Sequence, residues 1–161
     1  TGLTSITIPK SVTSIGNYMF SYCIGFTSIT IPDSVKTIEG YAFYNCDSLA
    51  VHNLPNSVAV IGAYAFAQCS NLMNVVIPKS VTEIGNLFHF LWIVGGPKSS
   101  EPAWIYYKGT ADEWLKISIV FPNDDLTSAT RYYYSETKPT ASGNYWHYVD
   151  GVATVWEVSA S

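Results

Sequence analysis

Apolar and hydroxyl side chains alternate at two places near the beginning of the chain, in residues 5–7 and 28–30, where isoleucine lies between serine and threonine. Alternation of this kind predicts a short strand with one buried face. A proline follows closely in both cases and ends the strand, because proline has no amide hydrogen to contribute to a sheet. Residues 12–15 begin and end with an apolar side chain and predict a second short extended segment.

The same pattern returns every 23 residues, as the prolines at positions 9, 32, 55 and 78 show. Other columns with this period are Ser11, Ser34, Ser57 and Ser80; Val12, Val35, Val58 and Val81; Ile15, Ile38, Ile61 and Ile84; Phe20, Phe43 and Phe66; and Cys23, Cys46 and Cys69. One unit is too short to bury its own apolar side, so neighbouring units must stack. Stacking predicts ladders of like residues and parallel strands about 5 Å apart.

Glycine and tyrosine follow the second extended segment of the units. The glycines at positions 16, 62 and 85 predict a turn. The sequence Tyr-Ala-Phe at residues 41–43 and 64–66 predicts a single helical or 3₁₀ turn. The first residue of this sequence belongs to a tyrosine column, which we interpret as a ladder of stacked rings rather than as a binding stripe. The column consists of Tyr18, Tyr41 and Tyr64.

The period is lost near residue 95. In the fourth unit His89 replaces the expected phenylalanine and Trp92 the expected cysteine, as at a terminal unit, which needs a different outer face. We predict repeats over residues 1–94 and a small, aromatic, β-rich cap over residues 95–161. The cap is predicted to contain strands at 104–107 and 131–134, a short helix to Lys116 opened by a capping box of Thr110 and Glu113, and a hairpin of 145–149 and 152–158 around Asp150-Gly151.

The repeating unit reads L-x-x-I-x-I-P-x-S-V-x-x-I-G-x-Y-A-F-x-x-C over residues 3–86. This unit resembles the BspA-like leucine-rich repeats. The resemblance implies a β-rich leucine-rich-repeat solenoid of short parallel strands with few short helical turns. It also implies an extracellular or cell-surface interaction module of a bacterium, which binds host or microbial protein or glycan in adhesion. Two alternatives stay open: a structural spacer or cap of a larger surface protein, and a carbohydrate-binding or enzymatic cap.

Composition narrows the range of partners. Hydrophobic residues make up 48% of the chain and charged residues 12%, which excludes an intrinsically disordered chain. The net charge of −4 argues against a nucleic-acid partner, which requires a basic surface to displace counterions. The longest apolar run, residues 87–94, is far shorter than the roughly 20 residues of a membrane span, so we expect no membrane insertion in this part of the chain.

The residues that carry chemistry are dispersed. The three cysteines repeat at the period of the unit and lack the close pairing of zinc sites, so we interpret them as a buried ladder, with a disulfide between adjacent units as the alternative. No histidine lies in a known nucleophile motif, and no phosphate-binding or dinucleotide-binding fingerprint occurs. We therefore expect no catalytic residue, no metal ligand, no cofactor and no enzymatic activity.

Two groups of residues are candidates for ligand binding. Exposed rings of the C-terminal segment could stack on sugars or anchor a protein, although their packing in a small core is the favoured interpretation. Outward-facing strand residues would form a small, neutral, polar concave surface, which predicts weak and multivalent contact. The ring candidates are Trp146, Tyr148, Trp156 and Tyr133, and the strand candidates are Ser5, Ser28, Asn74, Thr7, Thr30 and Asn53.

Overall fold

The computed structural model describes residues 4–50, 53–72, 74–85, 104–120 and 129–156. None of its helices in these ranges has the length and apolar character needed to cross a membrane. In chain order the elements are β1 (Ser5–Thr7), β2 (Ser14–Ile15), β3 (Ser28–Thr30), β4 (Thr37–Ile38), β5 (Val60–Ile61), β6 (Asn74–Ile77), β7 (Glu83–Ile84), β8 (Trp104–Tyr107), α1 (Ala111–Trp114), β9 (Ser118–Ile119), β10 (Thr130–Tyr134), β11 (Tyr145–Val149) and β12 (Val152–Val155).

Five two-residue strands form a parallel sheet in the order β2-β4-β5-β7-β9. The isoleucine column of the sequence supplies consecutive register partners along this sheet: Ile15, Ile38, Ile61 and Ile84. These side chains are buried, and a slip by one residue would turn each of them out of the core. The 23-residue period therefore fixes the register of the sheet.

The other strands lie on the opposite side of the core. β1 pairs with β3 in parallel, and a five-stranded sheet has the order β12-β11-β10-β8-β6. Because β8 is parallel to β6 and β9 is parallel to β7, both sheets continue beyond residue 95, where the sequence period is lost. The chain thus has the β-rich, mostly parallel architecture expected of leucine-rich repeats. The division at residues 94 and 95 stays a prediction.

The core is a set of ladders between the two sides. Phe20, Phe43 and Phe66 stack with ring centroids 5.3 Å and 5.2 Å apart. The Cys46 thiol donates to the carbonyl of Phe20 at 2.9 Å, and the Cys69 thiol donates to the carbonyl of Phe43 at 3.1 Å. These two cysteines are buried, whereas Cys23 is half-buried, and all three thiols are free. The prediction of a buried ladder is thus confirmed for Cys46 and Cys69, and the disulfide alternative is wrong.

No helix forms at residues 41–43 and 64–66, but each segment begins a single turn in which an amide donates to the carbonyl three residues earlier, Tyr44 to Tyr41 and Ala67 to Tyr64, both at 3.1 Å. Tyr41 has φ of 56° and its amide donates at 2.8 Å to the carbonyl of Ala63 in the next unit, as does the amide of Phe43 to Ala65. A helix would satisfy these amides internally. The left-handed conformation costs roughly 1–2 kcal/mol in an L-residue. Ring stacking opposes that cost, because Tyr41 lies 4.7 Å from both Tyr18 and Tyr64, which confirms ladder packing of this column.

The C-terminal elements follow from local signals. Thr110 and Glu113 form both hydrogen bonds of a capping box at α1, although the helix ends at Trp114, before the predicted Lys116. Asp150 and Gly151 have φ of 50° and 80°, as a two-residue hairpin turn requires, and they join antiparallel β11 and β12. β12 ends at Val155, and residues 157–158 of the predicted strand lie outside the described ranges.

Candidate ligand-binding groove

The face of β1 and β3 that points away from the core, here called the outer face, is small and polar. Ser5, Thr7, Ser28 and Thr30 are exposed on it, each one flanking the isoleucine at the centre of its strand. Asn53, which continues the threonine column, is also exposed and bridges to Val76. The side chain of Asn74 lies outside the described part of the structure. These side chains offer hydrogen bonds but no anchoring ring.

Aromatic residues cover the outer face further along the chain. Val76 and Tyr106 stand opposite each other on β6 and β8, in the register of the polar column, yet both are buried. They form a second hydrophobic cluster with Trp146 from the C-terminal hairpin. β11 pairs with β10, and its residues Trp146 and Tyr148 pack against Val76 and Tyr106 on the outer face. The hairpin therefore covers β6 and β8 and leaves β1 and β3 open.

Trp146 is 0% exposed and therefore has no ring face to offer a ligand. Its indole Nε1 donates to the carbonyl of Tyr107 at 3.0 Å, and its ring lies edge-on to Tyr134 at 5.1 Å. The suggestion that it stacks on sugars is excluded by this burial. Alternation along β11 could show that one face is buried, but the packing of the hairpin decides which.

The other ring candidates lie in different environments. Tyr133 is half-buried against the main core and meets Tyr107 edge-on at 6.5 Å. Trp156 is half-buried, stacks on His147 at 3.6 Å and donates from Nε1 to the carbonyl of Ser135 at 3.0 Å. Neither borders the groove described next. Their predicted part in ligand binding stays a prediction.

Tyr148 stands where the covered and open parts of the outer face meet. Its hydroxyl donates to Oδ1 of Asn53 at 2.8 Å, across 95 positions of sequence. Beside it lies a groove of about 720 Å³, here called the hairpin groove, within the size range of small-molecule sites. A second depression of about 390 Å³ includes Thr30 and Asn53 and shares Asn56 and Lys108 with the first. The described residues that line the hairpin groove are Asn56, Lys79, Ser80, Lys108, Glu113, Tyr134 and Tyr148.

Among the described residues, more lysines than carboxylates line the hairpin groove, in a chain whose net charge is −4. The lysines are Lys79 and Lys108, and the carboxylate is Glu113. Hydrogen bonding to Thr110, first to its backbone amide, lowers the pKa of Glu113 and keeps it ionised, and Lys79 lowers that pKa further. Glu113 therefore contributes a negative charge to the lining of the groove.

Lys108 is half-buried, and this burial lowers the pKa of its ammonium group. The Nζ atom lies 5.8 Å from the centroid of the Tyr148 ring and 3.5 Å from Oδ1 of Asn56. Among the described residues no carboxylate forms an ion pair with it. A partly desolvated cation held by a ring and an amide is arranged to receive an anionic group.

Sequence reasoning placed Tyr148 among the candidates but missed Lys108 and Asn56. Asn56 belongs to an exposed column just after the prolines, where polar side chains are ordinary. Lys108 follows Tyr107, the register partner of Ile77, and so occupies the position that proline holds in the repeats. A lysine in a proline column would have been the signal, but the column cannot be followed where the period is lost.

The described residues hold no group of three or more His, Cys, Asp and Glu side chains that could bind a metal ion. A hydrogen bond with the Cys46 thiol and burial raise the pKa of the Cys69 thiol, which keeps it protonated and unreactive. Burial raises the pKa of Cys23 as well. His52, His89 and residues 123–125 fall outside the described ranges.

Comparison with known proteins agrees with the repeat pattern. The family model for the BspA type leucine rich repeat region matches residues 1–90 in 6 copies. A crystal structure of a leucine rich cell surface protein from Faecalibacterium prausnitzii A2-165 is similar, with a TM-score of 0.51, 28% identity, and coverage of 71% of this chain and 35% of that one. A leucine-rich repeat protein from Bacteroides ovatus ATCC 8483 shares the fold, with a TM-score of 0.54, 23% identity, and coverage of 83% and 39%. The chain thus spans well under half of either protein, and no curated protein matches it.

Proposed function

The chain belongs to the family of BspA-type leucine-rich repeat proteins, and from that premise we propose that it is a cell-surface interaction module of a bacterium that binds a protein or a glycan. In this proposal the stacked repeats form a solenoid, and residues 95–161 complete its C-terminal end. Its activity is adhesion-like binding without catalysis or a cofactor.

The observation that carries the proposal is the pair of joined grooves on the outer face. They connect the exposed residues Thr30 and Asn53 to Tyr148 and Lys108 of the C-terminal segment. Polar side chains on one side and a ring with a cation on the other provide both orientation and anchoring. The similarity to the Faecalibacterium prausnitzii cell surface protein supports the location.

A structural spacer or cap is the second candidate function. The complete burial of Trp146 and the indole hydrogen bond of Trp156 to Ser135 favour it, because these rings serve packing. A spacer has no ligand, so binding by the intact chain separates the two proposals. The enzymatic alternative has no supporting arrangement among the described residues and is not proposed.

The test uses the full chain displayed on a tetrameric support, because a small polar surface is expected to bind weakly unless contacts are multiplied. The support is applied to arrays of glycans and of extracellular matrix and mucosal proteins. A Thr30→Arg variant places a long side chain in the second depression, which adjoins the hairpin groove. Thr13→Arg adds the same group at an exposed threonine outside both.

We expect at least one ligand that binds the wild-type chain and Thr13→Arg equally and Thr30→Arg at least tenfold more weakly. Equal circular dichroism spectra and urea midpoints would show that both variants fold. If the arrays give no ligand, or if Thr30→Arg binds as well as Thr13→Arg, the groove is not an interaction site and the spacer function is favoured.

A further inference from the structure

Lys108 is a half-buried lysine of the hairpin groove that has no carboxylate partner among the described residues. Its ammonium group is half-buried, yet its nearest recorded polar partner is the neutral Asn56 amide at 3.5 Å, a weak hydrogen bond. The Tyr148 ring on its other side stabilises the cation without neutralising it. Exposed lysines keep their water, but a desolvated one gains most from an anion of the ligand.

The rest of the lining indicates what carries that anion. Tyr134 is 37% exposed and Tyr148 is half-buried at the groove, so rings offer apolar faces. Between them Asn56 and Ser80 offer an amide and a hydroxyl. A pyranose ring presents the matching surfaces, since its axial hydrogens form an apolar patch and its hydroxyls form hydrogen bonds at the rim. A volume of about 720 Å³ suits a short oligosaccharide.

A peptide ligand fits the same lining less well. None of the described residues that line the hairpin groove has an aliphatic side chain to receive the apolar anchors of a peptide. Its strand residues, Tyr134 and Tyr148, belong to β10 and β11, each of which already pairs with a strand on both sides, and its other described lining residues lie outside the strands. The described lining therefore offers no strand edge to which a peptide could add by main-chain hydrogen bonds. Negative charge on a sugar therefore matches the groove better than negative charge on a peptide.

We propose that the hairpin groove binds a carboxylated saccharide, with the uronate or sialate carboxylate on Lys108 and the sugar ring against Tyr134 and Tyr148. This inference rests on the proposed interaction function and names the ligand class of its groove. Asn56 and Ser80 hydrogen-bond the sugar hydroxyls. Glu113 also lines the groove, where its Oε2 accepts from the Thr110 amide, and Asp33 lines the adjoining depression, so the ligand must place its carboxylate at Lys108 and away from both of these carboxylates.

The test measures binding of a galacturonate tetrasaccharide to the full chain by titration calorimetry, beside the fully methyl-esterified tetrasaccharide and hexaglutamate. Lys108→Met removes the charge and keeps the stem, and Lys108→Arg restores a charge. Lys36→Met is the matched control, because Lys36 is exposed and belongs to the opposite sheet side, where its amide bonds Thr13. Urea midpoints of all variants verify folding.

We expect the acid form to bind and Lys108→Met to weaken it by about tenfold to a hundredfold, as for the loss of one charged hydrogen bond. Lys36→Met should leave the affinity unchanged, and Lys108→Arg should restore most of it. Esterification should weaken wild-type binding to the same extent but have little further effect on Lys108→Met, because the two changes remove one interaction.

Three results would overturn the inference. If the ester binds as tightly as the acid, the site recognises a neutral sugar. If hexaglutamate binds with the same dependence on Lys108, the ligand is an acidic peptide. If no saccharide binds while the arrays give a protein ligand blocked by Thr30→Arg, the ligand class is wrong and the proposed function stands. Absence of every ligand would reject both.

Discussion

Gly62 lies against the backbone of the preceding unit, and its replacement by alanine should be costly. A Cβ at this position would collide with the amide nitrogen of Gly40 and lie 2.6 Å from the carbonyl carbon of Glu39. Both obstacles are backbone atoms, so no side chain can rotate away. The Gly62 amide donates to the carbonyl of Ile38 at 2.7 Å, which holds the two units at this separation.

The structure gives the size of the effect. An ordinary contact begins at 3.4 Å, so the units must separate by about 0.8 Å at Glu39 alone. Overpacking of this kind costs about 1–3 kcal/mol, and a stretched hydrogen bond adds about 1 kcal/mol. Alanine also restricts the unfolded chain, which returns about 0.4–1 kcal/mol. We expect Gly62→Ala to lower the free energy of unfolding by about 1–3 kcal/mol.

Gly16 is the matched control, since it precedes its own turn in the same column. A Cβ there would meet only the terminal methyl of Met19, at 3.5 Å, and its φ is not in the left-handed region. Gly16→Ala should therefore raise the free energy of unfolding by about 0.4–1 kcal/mol. Urea denaturation of both variants, with equal slopes against denaturant, measures the difference. Equal midpoints for the two variants would refute the reasoning from backbone contact.

Three further predictions concern single side chains. Trp146→Ala should lower the free energy of unfolding by about 3–5 kcal/mol, because it removes the indole ring from the second hydrophobic cluster and the hydrogen bond to the Tyr107 carbonyl. Urea denaturation measures this loss. Hydrogen bonding to Thr110 lowers the pKa of Glu113 below its ordinary value of 4.5. The ionised Glu113 therefore stabilises the fold fully above pH 4.5, and this stabilisation is lost as the pH falls through the folded-state pKa. Urea midpoints measured against pH should show this dependence, and Glu113→Gln should remove it. Thiol labelling of the native chain at neutral pH should modify Cys23 first and leave Cys69 protected until unfolding, because Cys69 is more deeply buried; equal rates would contradict the buried ladder.

Much of the fold could be predicted from the sequence, because the 23-residue period shows which residues of neighbouring units lie side by side. The isoleucine, phenylalanine and cysteine columns became ladders at the same spacing. The Asp150-Gly151 turn and the Thr110 capping box depend on neighbouring residues and were also predictable. The left-handed backbone at Tyr41 and Tyr64 was not, since a tyrosine with positive φ is rare and the Tyr41 amide bonds a carbonyl of another unit.

The groove could be predicted only in part. Outward positions such as Thr30 follow from alternation along a strand. The position of Tyr148 against Asn53 depends on how a hairpin packs 95 positions later, which no local pattern encodes. Lys108 enters the groove through the pairing of β8 with β6, and the sequence between those strands carries no repeat. Long-range packing therefore decides the ligand site, while local periodicity decides its scaffold.

The hairpin also sets how such a surface can change in evolution. Because it covers the outer face over β6 and β8, duplication or loss of a 23-residue unit among the earlier strands would lengthen or shorten only the open part. Each event would move the far end of that surface by one strand spacing, about 4.8 Å, and leave the hairpin groove intact. The reach of the module and the chemistry of its terminal groove can thus be selected independently, the first by copy number and the second by point substitution.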